Sequence, residues 1–139
     1  LHLQFFFNGE RQWRDAPDED SHFAVTDRSS HLYQKLVSMH VLIVNFNLEG
    51  IDHAQFSEAC DGLADTFAAI PGLIAKVWLS DPESNTYGGV YTFQDKAACD
   101  AYTSGEVFAA VAGNPNFVNA SVKDFGILEG PTRVTRGLA

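Results

Sequence analysis

The chain has 139 residues, 45% of them hydrophobic and 12% aromatic, with 18 acidic residues against nine basic ones. That length suits one domain with a single core, and the apolar content excludes a disordered tail. A net charge of −9 without a local Lys/Arg cluster repels phosphates and anionic lipid, so no nucleic acid and no membrane surface is an expected partner.

Residues 1–38 mix charges (RQWRDAPDEDS, 11–21) with scattered aromatics and show no sustained period. Two readings stand. The segment is an upstream extension of a reading frame whose natural start is the only methionine, Met39, or it is an arm that folds over the domain or a partner through Phe5, Phe6, Phe7 and Trp13. The opening LHLQFFFNG lacks the basic flank and cleavage pattern of a signal peptide, and a cytoplasmic protein is the expectation. No apolar run reaches the roughly 18 residues of a membrane span. Residues 39–139 form the expected domain.

Residues 40–47 (HVLIVNFN) are apolar and β-branched, fit for a buried strand. Asp52 then stands as an N-cap with Gln55 three residues on, and Ile51 and Phe56 occupy the positions of a hydrophobic staple. The helix carries Phe56, Ala59, Cys60, Leu63, Phe67 and Ile70 at helical spacing until Pro71 and Gly72 stop it. Residues 74–80 predict a second strand, 81–87 (DPESNTY) a turn, and 88–94 a third strand opening on Gly88 and Gly89. Glycine weakens a strand, so the pair marks a bulge, room for a ring or ligand, or a plain flexible hairpin arm. Asp95 caps a helix over 96–103, and a further turn or two covers 106–112 before Gly113-Asn114-Pro115. A last strand spans 117–128, with Val118, Ala120 and Val122 alternating against Asn119, Ser121 and Lys123. Residues 129–139, with Pro131 and Gly137, read as a tail.

The order β-α-β-β-α-β predicts an α+β, ferredoxin-like sandwich: four antiparallel strands with the helices on one face. The bare face of so apolar a sheet calls for cover, most simply by a second copy, so a homodimer is expected. Cys60 and Cys99 fall in helical segments outside any C-x-x-C pattern and read as small apolar core residues, a disulfide or redox role being the alternative.

Three segments, VNFNLEG (44–50), PGLIAKVW (71–78) and GGVYTFQDKAACDAY (88–102), give residues 39–128 a resemblance to the YdhR-type monooxygenase family of the dimeric α+β-barrel superfamily, which also holds the antibiotic-biosynthesis monooxygenases. The resemblance implies a dimer with a pocket between sheet and helices, and oxygenation of an aromatic or quinol-like molecule by O₂ with no flavin, haem or metal. A non-catalytic ligand-binding or stress-related dimer of the same fold is the alternative, and an isomerase or decarboxylase a third.

Such chemistry needs an aromatic wall, a group that stabilises an oxyanion, and exclusion of water. Lys76, Trp78 and Asn45 are the candidate catalytic residues; Asn47, Tyr91, Phe93 and Tyr102 are the candidates for substrate binding. Each has a plainer role. Trp78 anchors helix to sheet, Lys76 reaches along the surface into water, Tyr91 and Phe93 fill the core, Asn45 and Asn47 bond loops, and Tyr102 packs. Lys76 and Trp78 share strand parity and so one face. The sequence holds no H-x-x-x-H, Cys/His cluster, carboxylate triad, G-x-G-x-x-G, P-loop or nucleophile elbow, so neither a metal nor a cofactor is expected. Haem-degrading relatives in the superfamily use a late helical histidine, and no histidine follows His53.

Overall fold

The computed structural model describes residues 38–137, so the expectation of an N-terminal extension lies outside the described residues except at Ser38. The elements are β1 (His40–Leu48), α1 (His53–Ala68), β2 (Leu73–Asp81), β3 (Thr86–Phe93), α2 (Lys96–Thr103), α3 (Glu106–Ala112), β4 (Phe117–Gly126) and α4 (Glu129–Val134). The strands form one antiparallel sheet in the order β2-β3-β1-β4, the α+β, ferredoxin-like arrangement. No described helix is long and apolar enough to cross a membrane.

Local chemistry accounts for the helix boundaries. Asp52 accepts from the Gln55 amide at 2.8 Å while Gln55 Oε1 accepts from the Asp52 amide at 2.9 Å, a complete capping box on α1. Asp95 caps α2 through the Ala98 amide at 2.8 Å. Gly72, at φ +79°, turns the chain from α1 into β2.

β1 alternates strictly, Leu42, Val44, Phe46 and Leu48 buried on the helix side and Val41, Ile43, Asn45 and Asn47 on the other. The register carries that parity across the sheet. Trp78, Gly89, Val44 and Val122 make one row on the helix side, and Lys76, Tyr91, Leu42 and Asp124 the next. The core lies on this side, where Phe56 and Phe67 of α1 and Cys99 and Tyr102 of α2 meet Phe46, Tyr87, Tyr91 and Phe93. Each such side chain removed from water contributes about 1.5–3 kcal/mol.

Three expectations are corrected. β3 begins at Thr86 rather than Gly88, because the turn is tighter than its polar composition suggests. The alternation expected along β4 breaks at a bulge: Asn45 pairs with Ser121 but Asn47 with Val118, so β4 holds one extra residue there, with Asn119 at φ +56°. Val118 and Val122 therefore face opposite ways. The expected tail contains α4, whose side chains stay unburied, and Pro131 is tolerated because it stands in the first turn.

Candidate functional site

The apolar stripe of α1 closes on the sheet at its two ends only. Phe56 packs edge-on to Phe46 and Tyr87, and Phe67 edge-on to Trp78. Between them Ala59, Cys60 and Leu63 stand back from the strands, and the gap is a cavity of about 480 Å³. Sheet residues Val44, Gly89 and Tyr91 floor it, α3 adds Val107 and Val111, and Phe117, stacked on Phe46 at 4.2 Å, walls one side.

Lys76 supplies the cation of this apolar space. Its Nζ lies 3.3 Å from the centre of the Trp78 ring, 3.5 Å from that of Phe67 and 4.6 Å from that of Tyr91. Burial drives the ammonium down to about 7, against a weak opposing pull from the Cys60 sulfur. The three ring faces favour the charged form. The cage thus holds an amine poised between its two protonation states, burial favouring the neutral form and the rings the charged one. Burial, with help from Asp61, pushes the neighbouring Cys60 thiol up, and Lys76 only partly offsets this. Cys60 is therefore a neutral lining group at neutral pH.

Gly88 and Gly89 have distinct duties. Gly88 sits at φ +150°, and a Cβ there would overlap the Val44 carbonyl oxygen, so the third strand can lie this close to β1 only as glycine. Gly89 faces the cavity. A Cβ on it would stand 2.8 Å from Lys76 Cε and 3.2 Å from Tyr91 Cε1, so the missing side chain is the space over which the lysine lies.

The structure brings together Lys76, Trp78 and Tyr91 from the expected set. Phe93 and Tyr102 are buried behind Tyr91 and do not line the cavity; Phe93 stacks on Tyr91 at 6.1 Å, and the Tyr102 and Tyr91 hydroxyls share a hydrogen bond of 3.2 Å. Burial pushes both phenols up and keeps them neutral. Asn45 and Asn47 project from the opposite face of the sheet. Asn47 donates to the Asn85 carbonyl at 2.8 Å and accepts from the Asn119 amide at 3.1 Å, fastening the end of the β2–β3 hairpin and the bulge in place of lining the cavity. Phe67, the third ring of the cage, is outside the expected set, and its place on the α1 stripe is the sequence signal that it faces inward.

The family described as "Putative mono-oxygenase ydhR" matches residues 41–138. The chain belongs to this family. No match was found among curated proteins. Among solved structures, SnoaB of Streptomyces nogalater, a cofactor-independent oxygenase, shares the fold at 19% identity and a TM-score of 0.54, over 66% of this chain and 95% of that one. MhuD, a heme-degrader from Mycobacterium tuberculosis, does so at 22% identity and 0.53, over 64% and 95%. A protein of unknown function from Nitrosomonas europaea gives 18% and 0.55, over 67% and 92%. With these structures the chain shares the fold alone, and its cavity is lined by no histidine among the described residues.

Proposed function

We propose that the cavity takes a small aromatic molecule with an ionisable phenolic or enolic hydroxyl, and that this ydhR-family chain oxygenates it with O₂ and no cofactor. The observation that carries this is the Lys76 amine, held at about 7 inside a cage of rings. A neutral amine there takes the hydroxyl proton, and the ammonium formed stays within the cage beside the new oxyanion. The electron-rich anion passes an electron to O₂, the radical pair joins as a peroxide, and loss of water leaves a new carbonyl. The substrate supplies all four electrons that O₂ takes up; one oxygen atom ends in the product and the other in water. Trp78 and Tyr91 serve as ring walls. Phe93 and Tyr102 act through Tyr91, which they hold in place.

The reading includes a homodimer. The face opposite the helices carries Val77, Val90 and Ile43 in one row and Val41 with Phe125 in the next, an apolar strip that a second copy covers about a two-fold axis.

Oxygen uptake by the full chain with a panel of anthrones and hydroquinones tests the proposal. Lys76→Met removes uptake while calorimetry still finds the ligand bound. Uptake unchanged in both Lys76→Met and Trp78→Phe overturns the assignment, and binding without uptake by the parent favours the non-catalytic ligand-binding dimer.

A further inference from the structure

At the far end of β1 from the cavity, three side chains remote in sequence converge. His40 opens β1, Asp124 stands on β4 and Cys99 on α2, and one donor atom from each lies within 4.8 Å of the other two. The register explains the meeting. Leu42 pairs with Asp124 and His40 with Gly126, so the imidazole and the carboxylate both point to the helix side, where α2 lowers Cys99 onto them. His40 and Cys99 are buried, and Asp124 reaches solvent. His40 Nε2 and Asp124 Oδ2 are 2.6 Å apart.

We propose that His40, Cys99 and Asp124 bind a divalent transition-metal ion of the zinc class, with water as the fourth ligand. A nitrogen, a sulfur and a carboxylate oxygen are a borderline donor set; magnesium and calcium demand oxygen throughout. Tetrahedral bonds of about 2.0–2.3 Å put neighbouring donors about 3.2–3.7 Å apart. The ion therefore parts His40 from Asp124 by under about 1 Å and draws Cys99, whose sulfur lies within 4.8 Å of both, inward by up to about 1.3 Å. Asp124 can make that move, since β4 is an edge strand and the carboxylate is half exposed. Its other neighbour, Lys96, stands 4.0 Å away and already holds both Asp100 oxygens at 3.0 Å, so it can leave Asp124 to the metal. Thiolate and carboxylate together neutralise the ion, and the thiol proton is released to water. None of the three residues lines the cavity, so the ion ties β1, β4 and α2 together away from the site of chemistry.

The test is cobalt titration of the full chain after chelator treatment and reduction by a phosphine. The expected result is a near-ultraviolet thiolate-to-cobalt band that saturates at one ion per chain and is displaced by zinc. Cys99→Ser abolishes the band, Cys60→Ser leaves it, and Asp124→Asn weakens binding by at least about tenfold. Absence of the band from the parent, its survival in Cys99→Ser, or an unchanged cobalt affinity in the exposed-edge variant Asp124→Asn each overturns the site and leaves a hydrogen bond packed beside a thiol.

Discussion

Lys76 lies across Gly89: the lysine Cε occupies the ground a Gly89 side chain would need, 2.8 Å from the position of its Cβ. The ammonium reaches the three rings only because the strand beside it is bare at that point. The glycine pair is thus divided between backbone and site, Gly88 serving the approach to β1 and Gly89 the placement of a cation.

The two glycines should respond differently to alanine. Gly89→Ala crowds the flexible end of a lysine and an aromatic edge and meets the Val77 carbonyl oxygen at an ordinary 3.4 Å, so stability stays within about 1 kcal/mol of the parent. Ligand affinity and oxygen uptake fall, since the ammonium leaves the cage. Gly88→Ala forces a residue with a Cβ into a region reserved for glycine, at about 1–3 kcal/mol, and adds the clash with the Val44 carbonyl. Urea melts of the two variants beside binding calorimetry separate these outcomes.

Lys76 should set a pH dependence of stability. Its amine lies at 10.5 in the unfolded chain and about 7 in the folded one, so between those values the unfolded chain holds more protons and stability rises with pH. Below about 7 the lysine is charged in both states and the burial cost is fully present. Lys76→Met removes that cost. The variant is more stable than the parent near about pH 6, and its advantage shrinks as pH climbs from about 7 towards 10. Denaturant melts across that range supply the check, and a constant difference contradicts the buried-amine account.

The Tyr91–Tyr102 hydroxyl pair should behave as a unit. Either Tyr→Phe change strands the other hydroxyl in the core and costs about 1–2 kcal/mol. The double variant loses both partners at once and costs less than the sum of the two. A double-mutant cycle should return a coupling of about 1 kcal/mol.

The uncovered sheet face yields a test of assembly. Val90 sits at the centre of the row Val77–Val90–Ile43 and points away from the core. Val90→Lys should leave far-UV circular dichroism unchanged and shift the sedimenting species from dimer to monomer at micromolar concentration. A parent that is monomeric there contradicts the dimer.

What could be foreseen depended on how local the cause was. The Asp52–Gln55 capping box and the staple of Ile51 and Phe56 act within five residues, and both could be located before any coordinates. The shared face of Lys76 and Trp78 followed from a period of two. Which face that parity meets is another matter, and here β1 misled. Leu42 and Val44 alternate with Val41 and Ile43, apolar on both sides, so nothing in the strand says whether Asn45 looks toward the helices or away. The β4 bulge has no compositional mark, because Asn119 reads as one more polar residue in an alternating run. α4 was hidden by Gly130 and Pro131, which suggest loop although the first turn of a helix accepts proline. The meeting of His40, Cys99 and Asp124 arises from register and helix placement, and no spacing rule encodes it.

The extra residue in β4 is self-contained: Val118 pairs with Asn47 before it and Ser121 with Asn45 after it, so both flanks follow the parity of β1. Excise Asn119 and the strand can close into an unbroken ladder with Ala120 opposite Phe46. Lys123 and Phe125 stay on the outer face and Val122 and Asp124 stay beneath the helices, the contact with His40 intact. A single-residue change of length is therefore absorbed at that one kink of an edge strand, and the two faces of the sheet keep their residues.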